Sequence, residues 1–183
     1  MMSRRSFLKG ALAVAGTCCL GGLLPTGKSA ASATPGPCPE KVLRLYHIHT
    51  GEKLQVQYCR DGIYDENALG QLDHFLRCYY TNTVKPIDPK VIDLLCDIKD
   101  RIGTDKEISI ISGYRSPEYN EHLRRLGRHV AAGSMHLEGK AIDFVIPGCG
   151  TGELCRSAKS FTAGGVGKYP DFVHIDVGRV RYW

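Results

Sequence analysis

No CxxC pair occurs in the chain although it holds eight cysteines, which argues against a zinc ribbon and a thioredoxin-like redox centre. No apolar run is long enough to cross a membrane as a helix; the longest, from Gly10 to Leu24, is too short. Internal repeats are absent as well, so the chain reads as one domain rather than an array. A surplus of basic charge is only apparent. Lys and Arg total 24 against 19 Asp and Glu, but Arg4, Arg5, Lys9 and Lys28 sit at the extreme N-terminus, leaving 20 against 19 in the remainder. Nothing in that balance argues for nucleic acid.

What is present at the N-terminus is an address. SRRSFLK is a twin-arginine pattern, followed by the apolar Gly- and Ala-rich run and by Ala31-Ser32-Ala33, an A-x-A-like cleavage site. Residues 1–33 are therefore expected to be a signal peptide and 34–40 a proline-containing linker, with the functional domain at 41–183. Export by the twin-arginine machinery, in the folded state, would deliver that domain to the periplasm or cell envelope with no membrane span left after cleavage. Cys18 and Cys19 lie in the leader, where Gly16 and Thr17 make a poor lipobox. The six others, Cys38, Cys59, Cys78, Cys96, Cys149 and Cys155, are an even number in an exported chain and suggest disulfides whose pairing cannot be read. A buried free thiol is the alternative for Cys78 and Cys96, which fall in apolar stretches expected to be helical.

Periodicity gives a coarse map. Val42 to His49 and Lys53 to Tyr58 alternate as strands around a turn at Thr50 and Gly51. Asp65 opens a helix expected to reach about Tyr80. Asp88 or Pro89 opens another that Gly103 ends, and Pro117 begins a third bearing Tyr119, Leu123 and Leu126. Ile108 to Ile111 reads as a short buried strand. Helices come first and the last strands carry the polar motifs, an order that fits α+β better than alternating α/β.

Those motifs are SMHLEGKAID, Ser134 to Asp143, and DFVHID, Asp171 to Asp176. A catalytic zinc takes three nitrogen or oxygen ligands and keeps the fourth position for water, and His136, Asp143 and His174 would fill that set without cysteine. The seven-residue spacing from His136 to Asp143 suits a ligand in a loop followed by one on a strand, with Gly139 permitting the turn. In AIDFVIP, Ala141, Asp143 and Val145 share one strand face, while Ile142, Phe144 and Ile146 form the core face. In FVHIDV the apolar face is Val173, Ile175 and Val177, so His174 and Asp176 project together. Asp171 would have to enter from the loop after Pro170. His47 and His49 alternate on a strand but are expected to be surface or packing residues, and His122 and His129 fall in a basic, solvated helical segment. Gly148, Gly150, Gly164, Gly165 and Gly167 are expected to leave the cleft open at both ends for a branched substrate.

These motifs resemble the SxHxxGxAxD signature and the acidic-residue-plus-histidine motif of the zinc D-alanyl-D-alanine peptidases. ISGYRSPEYN, GGVGKYP, FVHIDVG and the final RVRYW are most similar to the YcbK-like murein endopeptidase branch, over roughly Leu43 to Trp183. The resemblance implies a small antiparallel sheet carrying the zinc site with helices packed on one side. It also implies that His136, Asp143 and His174 bind Zn2+, that Asp171 is the general base, and that Arg115 binds substrate and stabilises the oxyanion. Better-studied dipeptidases place glutamate where Asp171 stands, and Asp176 is the competing acid, able instead to orient a ligand histidine. The implied activity is hydrolysis of peptidoglycan crosslinks between stem peptides. A D,D- or L,D-carboxypeptidase and a non-catalytic zinc-containing cell-wall binding protein are the alternatives.

Overall fold

The chain starts its fold with a hairpin. In the computed structural model, which describes residues 40–128 and 130–183, Lys41–His47 (β1) pairs antiparallel with Lys53–Arg60 (β2) around the expected turn. The leader, residues 34–39 of the linker with Cys38 among them, and His129 lie outside the described residues, and the described residues belong to one compact unit, Pro35–Trp183. A short strand, Ile63–Tyr64 (β3), precedes helix Glu66–Phe75 (α1), whose cap Asp65 accepts from the backbone N–H groups of Asn67 and Ala68. Helix Pro89–Ile102 (α2) is delimited as its sequence dictates. Asp88 accepts from the Lys90 N–H, proline fills the first turn, and Gly103 closes the helix in the left-handed conformation at φ 69°.

Then follow Ile108–Ser112 (β4), Pro117–Arg125 (α3), a 3₁₀ turn at Met135–Glu138, Ala141–Val145 (β5), Thr151–Ser160 (α4), Gly165–Lys168 (β6), Val173–Asp176 (β7) and Arg181–Tyr182 (β8). Among the described residues these make a mixed fold of four α-helices and one eight-stranded sheet in the order β3-β2-β1-β4-β5-β7-β6-β8. The sheet is neither small nor wholly antiparallel, as the resemblance had implied: β1–β4 and β6–β8 are parallel. The cause of the first is connectivity. The chain between β1 and β4 runs through β2, β3, α1 and α2, and such a long crossover returns the strand in its original direction.

The helix expected to reach Tyr80 stops at Phe75, because the backbone beyond it is claimed by tertiary bonds. The Leu76 carbonyl accepts from the Tyr114 N–H at 2.7 Å, and Cys78 pairs with Thr83 in an isolated bridge. Cys78, Tyr79 and Tyr80 are thus outside the helix. Cys59, Cys78, Cys96 and Cys155 are buried free thiols and Cys149 is a partly exposed one, so no disulfide framework is present among the described residues.

The core lies between α2 and the central strands, where Val91, Ile92, Leu95 and Ile98 meet Leu43, Leu45, Ile108, Ile110, Ile142, Phe144 and Ile175, all essentially inaccessible. Each such side chain contributes roughly 1.5–3 kcal/mol of burial. Strands β5 and β7 are buried on both faces. Their apolar residues fill this core, and Asp143, His174 and Asp176 occupy the other side. No described helix is long and apolar enough to cross a membrane.

Candidate metal centre

The register of β5 against β7 does most of the assembly. Asp143 and His174 are direct cross-strand partners, and residues so opposed carry their Cβ atoms about 4.5–5.5 Å apart on one face. The His174 Nδ1 consequently lies 2.7 Å from Asp143 Oδ1. The next pair on that face is Ala141 with Asp176, where the alanine methyl leaves room for the carboxylate.

His136 arrives from the 3₁₀ turn. Ser134 caps it by accepting from the His136 N–H, and Gly139 ends it at φ 70°, packed so closely on the Pro86 carbonyl that a Cβ would overlap it. The His136 carbonyl accepts from the Arg115 N–H, tying the turn to the segment after β4. The imidazole Nε2 then sits 3.2 Å from both His174 Nδ1 and Asp143 Oδ1.

The outer ring nitrogens settle which inner atoms carry lone pairs. His136 Nδ1 is 2.7 Å from the Gly113 carbonyl, which can only accept, so Nδ1 is the protonated nitrogen of the neutral ring. His174 Nε2 is 3.1 Å from Asp176 Oδ2 and donates there. With the outer protons so placed, His136 Nε2, His174 Nδ1 and Asp143 Oδ1 are left facing one another, an arrangement that a bound cation relieves and that a proton shared with Asp143 relieves in its place. All three donors lie within 4.8 Å of one another and are buried. A tetrahedral zinc with bonds of 2.0–2.1 Å requires donors about 3.3 Å apart, and two of the three separations are 3.2 Å. The donor set fits such an ion.

The electrostatics describe the protonated alternative. Burial would raise the Asp143 carboxyl, but attraction to His136 and hydrogen bonds from both imidazoles hold it well below the usual carboxylate range. Burial would lower His174, yet the hydrogen bonds to Asp143 and Asp176 and the charges of those carboxylates push it up to about 9. Burial lowers His136, with Asp143 pulling the other way.

Asp176 is fully buried and its carboxylate is saturated. Oδ1 accepts from the Gly165 and Gly178 N–H groups and from Arg181, and Oδ2 accepts from His174 and again from Arg181 at 2.7 Å. Burial alone would raise its pKa, and this set of donors, led by His174, holds it well below the normal carboxylate range. It stands on the side of the His174 ring away from the converging donors. Asp171 is exposed on the turn between Tyr169 and Phe172 and does not line the cavity above the three donors.

That cavity has a volume of about 820 Å³. Arg115 lies in its wall, 8% exposed, with Nη2 3.5 Å from Asp143 Oδ2 and Nη1 3.4 Å from Asn120 Oδ1; its buried Nε has no partner among the described residues. Asn120 in turn donates to the Ala131 carbonyl. Arg128, Arg181 and His49 also line the cavity, and Asp143 is its one acidic lining residue among those described. A second cavity, about 440 Å³ between α1 and β2, contains none of the candidate residues.

Sequence reading did not single out Asn120, Arg181 or Trp183. Asn120 and Arg181 follow Arg115 and Asp176 by five residues, a spacing with no structural period to flag it. Trp183 lies 5.4 Å from the His174 ring and donates from Nε1 to the Tyr169 hydroxyl. His47 is buried as a packing residue, whereas His49 is exposed and reaches the cavity rim. Gly164 and Gly167, expected to open the cleft, do not do so. A Cβ at Gly164 would overlap the Asp176 carbonyl, and one at Gly167 would fall 2.6 Å from the Trp183 ring, so they are sites of close packing.

The comparisons with known proteins converge on one group. The family model described as peptidoglycan L,D-endopeptidase MepK, a peptidase family, matches residues 37–183, and that of the twin-arginine translocation pathway signal matches residues 1–21. The chain thus carries a twin-arginine export signal and is directed out of the cytoplasm to the periplasm. It is 40% identical over 174 residues to the peptidoglycan L,D-endopeptidase MepK of Escherichia coli strain K12, covering 94% of each, and equally similar to that of Shigella flexneri. It is 38% identical to the probable peptidoglycan L,D-endopeptidase MepK of Haemophilus influenzae, over 88% of this chain and 87% of that one. No solved structure matches. With its whole folded part inside the family model and these relatives aligned over nearly their full lengths, the chain belongs to the MepK peptidase family.

Proposed function

We propose that the domain is a zinc-dependent peptidoglycan endopeptidase that cuts murein crosslinks between two diaminopimelate residues; its relatives are named peptidoglycan L,D-endopeptidases. The observation that carries the reading is the convergence of His136 Nε2, Asp143 Oδ1 and His174 Nδ1 on one point at the floor of a cavity, each outer ring nitrogen already held. When bound, zinc supplies Lewis acidity toward the scissile carbonyl and activates water for attack.

The chain's own groups do the remainder. The Gly113 carbonyl and the Asp176 carboxylate fix the tautomers in which both imidazoles can ligate. Arg115, braced by Asn120, faces negative charge developing on the carbonyl oxygen, where a preorganised donor is worth roughly 3–4 kcal/mol, and is equally able to clamp a substrate carboxylate. The positive lining of Arg115, Arg128 and Arg181 suits stem peptides, which carry free carboxylates. Both Asp176 oxygens are committed to other donors, which supports giving the proton-transfer role to Asp171, the residue that the family resemblance implies as the base.

Digestion of purified sacculi with the zinc-loaded domain tests this. Conversion of crosslinked muropeptides to monomers, read by mass spectrometry, is the expected result. Release of D-alanine from a monomeric pentapeptide stem with dimers untouched would make the protein a carboxypeptidase instead, and binding of sacculi without any cleavage would make it a cell-wall binding protein.

A further inference from the structure

A run of five aromatic rings leaves the cavity wall and emerges on the outer surface. His49 stacks on Tyr79 at 4.0 Å with an interplanar angle of 18°. Tyr79 meets Tyr119 edge-on at 5.1 Å, and the two hydroxyls hydrogen-bond to each other. These three rings line the cavity. Beyond them, Tyr80 lies over both Tyr119 and His122, at 4.8 and 5.1 Å, with its plane within 20° of each. Tyr119 and His122 are three residues apart on α3 and so sit side by side, forming a floor for the Tyr80 ring.

The packing covers Tyr80 from one side. Its exposure is 53%, so the opposite face is presented to solvent. A ring held flat on two others has already lost most of its rotamer freedom, and a ligand stacking on it pays little ordering cost. A ring face left open in this way is available for a ligand to stack on. Its shape selects a ligand: one flat C–H face to lie on the ring, with polar groups around the edge to stay wet. A pyranose ring has that construction.

We propose that the open face of Tyr80, backed by Tyr119 and His122 at the rim of the metal cavity, is a subsite for a sugar ring of the glycan strand that bears the stem peptide. The proposal rests on the peptidoglycan reading above, and it makes the glycan, as well as the peptide, part of what the domain recognises. The cavity takes the stem, and the ladder from His49 to Tyr80 leads outward toward the strand from which the stem hangs.

Two substrates from the same sacculi test it: crosslinked dimers still carrying their disaccharides, and the same crosslinked peptides stripped of sugar by an amidase. Tyr80→Ala should lower kcat/KM on the disaccharide-bearing dimers by roughly 3- to 10-fold, the size of one aromatic stacking contact, while both proteins cleave the stripped peptides alike. Tyr80→Trp, which keeps a flat face, should restore the rate. Equal losses on both substrates, or no loss on either, overturn the proposal. A titration with tri-N-acetylchitotriose, followed by NMR, separates the two readings. If the wild type cleaves neither substrate, the endopeptidase reading fails, and the sugar subsite stands or falls on whether trisaccharide binding is present and is lost in Tyr80→Ala.

Discussion

Replacing Asp176 by asparagine probes the site through a residue that does not touch the converging donors. The substitution is nearly isosteric, but every neighbour of the Asp176 carboxylate is a donor: two backbone N–H groups and Arg181 on Oδ1, His174 and Arg181 on Oδ2. An amide must turn its NH2 toward one set or the other. Turned toward Oδ1's partners, it opposes three donors. Turned toward Oδ2's, it opposes two, and His174 escapes the conflict by shifting its proton from Nε2 to Nδ1. That shift occupies the very lone pair that His174 offers to the metal. Loss of such a supporting carboxylate is worth about 10- to 100-fold in metal affinity, or roughly 1.4–2.8 kcal/mol.

Zinc affinity is measured by competition with a chromogenic chelator. The protein also supplies its own probe, because Trp183 is the single tryptophan of the chain and lies 5.4 Å from the His174 ring, so metal binding should change its fluorescence. Asp176→Asn should shift both titrations to higher zinc by at least tenfold while the circular dichroism of the fold is kept. Wild-type affinity in this variant would refute the tautomer argument.

Three further outcomes are expected. His136→Ala should lose most bound zinc on metal analysis, because a three-ligand site has no spare donor; full zinc content would remove His136 from the ligand set. Asp171→Asn should retain zinc yet lose nearly all turnover of crosslinked muropeptides, and an active Asp171→Asn beside a dead, zinc-replete Asp176→Asn would exchange the two roles. His47 should make the fold acid-sensitive: burial, helped by His49 and opposed by the pull of Glu52, lowers its pKa from 6.5 to about 4. The unfolded chain then binds a proton that the folded one refuses, so stability is greatest above pH 6.5 and declines as pH falls toward 4. In urea melts at pH 7 and pH 4.5, His47→Phe should lose less stability on acidification than the wild type, and an unchanged difference would refute the assignment.

The parts of the structure visible in the sequence are those with local causes. Asp65, Asp88 and Gly103 mark helix ends because a cap is a contact within a few residues, and α2 lies within those marks. The pairing of His174 with Asp176 on one face follows from the two-residue period of a strand. The end of α1 was not visible, since Leu76 is stopped by Tyr114, a partner far along the chain. The parallel β1–β4 pairing is hidden for the same reason, whereas Arg181 lies only five residues from Asp176, at a spacing that no structural period flags. Gly164 and Gly167 misled because a glycine needed for close approach and one needed for a turn look identical until the neighbour, here Trp183 or the Asp176 backbone, is in place.

The cross-strand pairing of Asp143 with His174 ties capture of the ion to the correctness of the fold. A slip of β7 by one residue against β5 would turn His174 and Asp176 into the interior and bring Val173 and Ile175 out to the cavity, leaving Asp143 without its partner. No misregistered form can therefore hold the metal and bury its apolar residues at once. A metal held by these three residues would thereby report that the sheet is in register.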